Sequence, residues 1–267
     1  MKNSTGIQSI EVGVPLLAAF LRAPQALPLK TLAQSAGMTP SKAHKYLTSF
    51  IRAGLVAQDA RNGGYRLGPL ALELGLTALR HFAAVDVAEG VMVELRDQLE
   101  LTVSLTVWAN LGPTVVRRIE TRQLQFVTMR VGSVLPLLTS ANGRIFLAYL
   151  DRHHTQAMID AELGAANGSA ARHGLRNAQD VERLIDKIRI AGAAEIDGFM
   201  SGLTAISAPI FEASNALYAA LTVVGPDHAK VKSAGPMLVA ATDKLSRQLG
   251  ASRTSKATDG DDLARTD

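Results

Sequence analysis

The chain has 267 residues, 47% of them apolar, 19% charged and 4% aromatic, with a mean hydropathy of +0.13. That is enough apolar material for a packed core and too much for a disordered chain; collagen-like and mucin-like classes are excluded, and the absence of cysteine removes disulfide scaffolds and thiolate chemistry. The net charge of +4 is unevenly placed: residues 1–68 carry eight Lys or Arg against Glu11 and Asp59, a net +6, and the remainder has 20 bases against 22 acids. A basic module on a near-neutral body is the footprint of a polyanion binder, because neutralised phosphates release condensed counterions.

No stretch reaches the roughly 18 uninterrupted apolar residues of a membrane span, since Arg22, Arg96, Arg144 and similar charges cut every candidate. The run Val14 to Leu21 follows Glu11 and contains Pro15, which makes it a poor secretory signal. The expectation is a cytoplasmic protein with no membrane contact.

In chain order, a first helix is predicted from about Ser9 to Leu21, facing a three-helix core through Ile10, Leu17, Phe20 and Leu21, with Pro15 either kinking it or delaying its start to Val14. Leu29, Leu32, Ala33 and Ala36 recur at i, i+3, i+4 and i+7, marking a short second helix that Gly37 ends. Thr39 is then an N-cap and Pro40 a first helical residue. In that third helix Ala43, Leu47, Phe50, Ile51 and Gly54 keep the apolar period, while Lys42, Lys45, Ser49 and Arg52 fall on another face.

Two helices joined by a short Gly turn make a helix-turn-helix, whose second helix sets Ser41, Lys42, His44 and Lys45 against base edges in a major groove. Leu55 to Gln58 and Tyr65 to Leu67 then read as a hairpin, with Asn62-Gly63 supplying the positive φ of the turn and Arg61 and Arg66 placed to reach a neighbouring phosphate or the minor groove. Residues 1–68 are therefore expected to be a winged helix-turn-helix domain. Its candidate contacts to double-stranded operator DNA are Lys30, Thr39, Ser41, Lys42, His44, Lys45, Ser49, Arg52, Arg61, Asn62 and Arg66.

Residues 69–84 read as a linker helix whose Leu70, Leu72, Leu74, Leu76 and Leu79 can pack either on a partner chain or on the second domain. From Asp86 the order argues an α+β domain over 85–251. Val87 to Leu99 is predicted helical and Leu101 to Trp108 and Thr114 to Glu120 extended, around the turn Asn110 to Pro113. Helices are expected at Arg144 to Leu163 and Ala178 to Ala191, strands at Ala205 to Phe211 and Leu217 to Val224, and a last helix at Gly235 to Leu249. The polar tail 252–267 is expected to be disordered. Gly132 to Arg144 is a Gly- and Pro-marked loop entering a helix that Ser140 or Asn142 can cap, and first-turn amides there suit a carboxylate.

The chain contains no nucleophile elbow, phosphate loop, dinucleotide glycine triplet or His-Glu-x-x-His. His153 and His154, adjacent on a helix, would point about 100° apart and not readily share a metal, and His173 has no partner by spacing. No enzyme activity, catalytic residue, metal or cofactor is expected.

Ile7-Gln8-Ser9-Ile10, Leu29 to Met38, Tyr65-Arg66-Leu67-Gly68-Pro69 and most of the chain beyond resemble the IclR family of bacterial transcription regulators. The resemblance implies an N-terminal winged helix-turn-helix, a linker helix and a C-terminal GAF-like α/β effector-binding domain with an antiparallel sheet, working as a homodimer or dimer of dimers on operator DNA. Ser140, Ala141, Asn142, Gly143 and Arg144 stand at the five positions of the family's Thr-Ala-Ser-Gly-Lys effector loop, and Glu195 to Leu203 followed by Ile206 to Phe211 resembles its acidic turn and strand. By the same resemblance, Leu135, Ser140, Ala141, Asn142, Glu195, Ala205, Thr222 and Val224 are the effector-binding candidates. Ala205 replaces a usual Cys, and Val224 replaces a frequent Ser. Loss of two polar groups suggests a small organic acid with an apolar or aromatic body and one carboxylate or hydroxyl end. The recognition helix reads Ser41-Lys42-Ala43-His44-Lys45-Tyr46 instead of the family's Ser-Thr followed by Arg, so the operator sequence does not carry over. The alternative is a small-molecule-binding protein or hydrolase that uses its winged helix for protein contacts.

Overall fold

The computed structural model describes residues 6–22, 25–80, 82–121, 129–166, 168–198 and 202–253. The chain divides into two compact units, Met1–His81 and Phe82–Asp267.

In the first unit, α1 (Gln8–Ala19), α2 (Leu29–Ser35) and α3 (Pro40–Arg52) pack together, β1 (Val56–Gln58) and β2 (Tyr65–Leu67) pair antiparallel, and α4 (Pro69–Arg80) follows. Helix α1 runs through Pro15 without a break. Its buried side is Gly13 and Leu16, continued by Phe20 just beyond its end, whereas Ile10 and Leu21, expected in the core, are exposed. The reason is Gly13: a Cβ there would lie 2.9 Å from the Phe50 ring and 3.0 Å from Tyr46, so the closest approach to α3 is centred on the glycine and the stripe turns with it. Leu32, Ala33, Ala43, Leu47, Val56 and Tyr65 complete this core.

The second unit is a five-stranded antiparallel sheet of order β4-β3-β7-β6-β5, made of β3 (Thr102–Ala109), β4 (Gly112–Ile119), β5 (Ala194–Asp197), β6 (Thr204–Phe211) and β7 (Leu217–Gly225). Its helices are α5 (Ala83–Leu99), α6 (Ala141–Tyr149), α7 (Arg152–Leu163), α8 (Ser169–Arg172), α9 (Ala178–Ala191), α10 (His228–Ser233) and α11 (Gly235–Gln248). One face carries Val103, Leu105, Ile206, Ala208, Leu221 and Val223 and packs on α5, α10 and α11. The opposite face receives α6 and α9 through Ile145, Phe146, Val181, Ile185 and Ile188.

Several boundaries differ from the periodicity. The linker helix stops at Arg80, and Phe82 packs against the core of the second unit. Gly112 and Pro113 belong to β4. The segment expected as one helix from Arg144 to Leu163 is two, because Leu150 and Asp151 are extended and Asp151 starts α7. Strand β5 is a fifth strand that its acidic, turn-like composition concealed. Ser252 and Arg253, expected to open the tail, are held by Asn215 Oδ1, and the Arg253 guanidinium lies 4.7 Å from the Phe211 ring centre. The rest of the predicted tail lies outside the described residues. No helix among the described residues is long and apolar enough to cross a membrane.

Candidate nucleic-acid interface and ligand pocket

Helix α3 starts as its sequence dictates: Pro40 needs no partner for an N–H, and Thr39 Oγ1 accepts from Lys42 N at 3.4 Å. With Ala43 and Leu47 buried, Ser41, Lys42, His44, Lys45, Ser49 and Arg52 are left exposed. Two of the candidate hydroxyls are already engaged, since Thr39 caps the helix and Ser49 Oγ donates to Lys45 O at 3.2 Å. Lys30 is exposed on α2. In the hairpin, Gly63 alone takes a positive φ, of +69°. Asn62 contributes its side chain, accepting from Gly64 N at 2.8 Å, and Asp59 Oδ1 accepts from Arg61 N at 2.8 Å. These two local turns hold the tip, leaving Arg61 and Arg66 exposed. Among the described residues no acid is ion-paired with a base of this unit, so the cations face solvent uncompensated.

In the second unit, strand register decides which candidates meet. Ala205 lies opposite Ile196 on β5 and Val224 on β7, and Thr222 lies opposite Ser207 and Ser104. Opposed residues of an antiparallel pair share a face. Ala205, Val224, Leu135 and Ala141 thus gather with Val115, Met129, Ile196 and Leu203 in one buried apolar nest. Thr222 sits beside it, its Oγ1 donating to Ser207 Oγ at 2.8 Å. Asn142 Nδ2 donates to Thr106 Oγ1 at 2.6 Å, and Ser140 caps α6 by accepting from Gly143 N at 2.9 Å while donating to Pro136 O at 2.6 Å. Ser140 and Asn142 therefore position the loop and helix.

Glu195 is separated from the other candidates. It lies opposite Ile206, on the α10 and α11 face, with Oε1 3.2 Å from Lys232 Nζ. There Glu195, Asp197 and His228 bring ligand-type atoms within 4.8 Å of one another, but the acids are paired with Lys232 and His228. The His153 and His154 rings, expected to diverge, have centroids 3.8 Å apart.

Residues the sequence reading missed flank the nest and the loop before α6. Thr102 and Ser104 are buried on the nest face, and their hydroxyls have no hydrogen-bond partner among the described residues. Their signal was the alternation Thr102-Val103-Ser104-Leu105-Thr106-Val107, in which the uncharged polar set faces the nest rather than water. Glu162 gave no signal: 25 positions from the loop, it accepts Leu137 N at 2.5 Å and Leu138 N at 2.8 Å. Burial pushes its carboxyl above the ordinary range, although the two amides pull it down. Arg144 crosses from loop to strand, its Nε donating to Leu138 O and an Nη to Glu195 O, each at 2.9 Å.

Residues 9–60 match the model of the IclR helix-turn-helix domain, and residues 76–251 that of the bacterial transcriptional regulator IclR C-terminal domain. The chain is 26% identical over 225 residues to the HTH-type transcriptional regulator KipR of Bacillus subtilis, covering 84% of this chain and 86% of that protein. The crystal structure of Pseudomonas aeruginosa HmgR is 36% identical, with a TM-score of 0.69, covering 92% of this chain and 100% of that one. An IclR homologue of Microbacterium hydrocarbonoxydans, solved in complex with 4-hydroxybenzoate, shares the fold at 21% identity, with a TM-score of 0.70 and coverage of 90% and 98%. The chain thus belongs to the IclR family of bacterial transcription regulators, which are not enzymes, and joins a DNA-binding helix-turn-helix unit to a C-terminal effector-binding unit.

Proposed function

We propose that the effector is a small organic monoacid with an apolar or aromatic body, bound in the nest of Leu135, Ala141, Ala205 and Val224, and that its occupancy sets the affinity of the α3 and wing surface for operator DNA. The observation that carries this reading is the composition of the nest: eight apolar residues without a charged side chain, flanked by the hydroxyls of Thr102, Ser104 and Thr222. Such a site suits an apolar body and one polar end directed by hydroxyls and the start of α6. The complex of a fold relative with 4-hydroxybenzoate makes that acid a first probe. Glu195 stands behind the sheet and would act on the pocket through β5.

On the DNA side the reading assigns base contacts to Ser41, Lys42, His44 and Lys45 and backbone contacts to Lys30, Arg52, Arg61, Asn62 and Arg66, with Thr39 and Ser49 in supporting roles. We place the working protein in the cytoplasm as a homodimer or dimer of dimers. Support comes from the exposed apolar residues of the first unit: Ile10 and Val14 on α1 with Ile7 and Leu21 at its two ends, and Leu72, Leu74 and Leu76 on α4.

Two substitutions test the assignment. Ala205→Phe, which fills the nest, is expected to abolish the response of DNA affinity to effector and to leave effector-free DNA binding intact. Lys45→Ala is expected to weaken operator binding by about 1–3 kcal/mol and keep the effector site. An unchanged response in Ala205→Phe contradicts the pocket, and unchanged affinity in Lys45→Ala removes that side chain from the interface.

A further inference from the structure

The second unit carries another concavity, a groove of about 570 Å³ at the open edge of β5. Its walls come from α9, through Leu184 and Ile188, and from α11, through Pro236 and Val239. Its floor includes Ala193, Ala194 and Arg144, whose Nη donates to the backbone carbonyl of another lining residue, Glu195. The volume matches a small-molecule pocket, and the walls are apolar.

Arg144 makes the groove more than a surface crease. It is 7% exposed, and no carboxylate pairs with it among the described residues. Two of its nitrogens donate to backbone carbonyls, of Leu138 and Glu195, and its remaining Nη has no hydrogen-bond acceptor among the described residues. The neighbouring imidazole, His173, offers no negative charge, and burial with the charges of Arg144 and Arg172 pushes its titration below the ordinary histidine range. Burial brings the guanidinium down to about 10, which still leaves it charged at neutral pH. A buried cation held only by dipoles is favoured by any anion that can reach it.

From this geometry we infer that the groove is a second ligand site, separate from the effector nest, for a small organic monoanion whose carboxylate meets Arg144 and whose apolar body lies between α9 and α11. Lys187 on the rim adds attraction, and Glu195 is compensated by Lys232 at 3.2 Å. Asp243 lines the other wall, and the one buried guanidinium matches a single carboxylate. Occupancy is transmitted, because the same guanidinium holds Leu138 of the effector loop and Glu195 of β5, whose neighbour Ile196 lines the nest. This inference does not depend on the nest being the effector pocket.

The test is a 19F NMR titration of the full chain with 4-fluorobenzoate, using wild type, Ala240→Trp, which fills the groove from exposed α11, and Ala205→Phe, which fills the nest. Melting by circular dichroism verifies that both variants fold. Beside any component that Ala205→Phe removes, a saturable bound component is expected that weakens at least tenfold in Ala240→Trp, persists in Ala205→Phe, and is at least tenfold weaker for the neutral isostere 4-fluorobenzamide. Binding that is indifferent to Ala240→Trp and lost in Ala205→Phe overturns the groove site and leaves the effector nest standing. Equal binding of the amide overturns the role of Arg144, and absence of saturable binding to wild type overturns the site for aromatic monoacids.

Discussion

Glu162 is the single residue on which the geometry of the effector loop most depends. Its carboxylate takes two consecutive backbone amides, Leu137 N and Leu138 N, that would otherwise be left without acceptors beside buried leucines. Gln offers one acceptor oxygen and turns an NH2 toward the second amide, so Glu162→Gln is expected to cost about 1–3 kcal/mol of stability. The pH dependence has a definite sign. Because burial raises the folded carboxyl above its unfolded value, the folded state holds the proton more tightly, and this contribution is full below the unfolded value and declines as pH rises through the folded one. The advantage of wild type over Glu162→Gln should therefore shrink as pH rises above the ordinary glutamate range of about 4, read from denaturant midpoints. A growing advantage would mean that the amides outweigh burial.

Among the elements, α6 shows how closely the loop and helix are fitted. A Cβ on Gly143 would collide with Pro136 O and lie 2.6 Å from Leu137 O, so the loop backbone crosses the first turn of α6 where only glycine fits. Gly143→Ala should thus destabilise the protein by about 2–4 kcal/mol despite alanine's better helix propensity, measured by chemical denaturation; a stabilised variant would contradict this packing. The same element marks the limit of legibility. Local chemistry was readable: Thr39 and Pro40 start α3, Ser140 caps α6, and Gly192 with φ +68° stops α9 where the sequence placed the end. Where three-dimensional register decided, the sequence was silent. Ile10 and Leu21 have the composition of core and lie outside because Gly13 sets the approach of α1 to α3. Glu195 lies on the opposite face of the sheet from Ala205 because one step of strand register separates their faces.

For the whole molecule, the exposed leucines of α4 and the apolar side of α1 predict self-association through the first unit. Leu72→Arg with Leu76→Arg, both at exposed positions, should shift the protein to a smaller species in light scattering and weaken operator binding, since two recognition helices would no longer be held together. A doubly substituted protein of unchanged mass would locate the interface elsewhere. Ligand control by the second unit carries the reciprocity of linkage: whatever factor the effector changes in DNA affinity, DNA must change in effector affinity. The most direct measurement is fluorescence anisotropy of the full chain on the DNA flanking its own gene, against shuffled DNA of equal composition, across a salt series and with and without a panel of small monoacids. The account predicts selective binding to the native DNA that at least one monoacid shifts. Equal affinity for both DNAs, falling together with salt and indifferent to every acid, would contradict it, because that behaviour is all that an unspecialised basic domain requires.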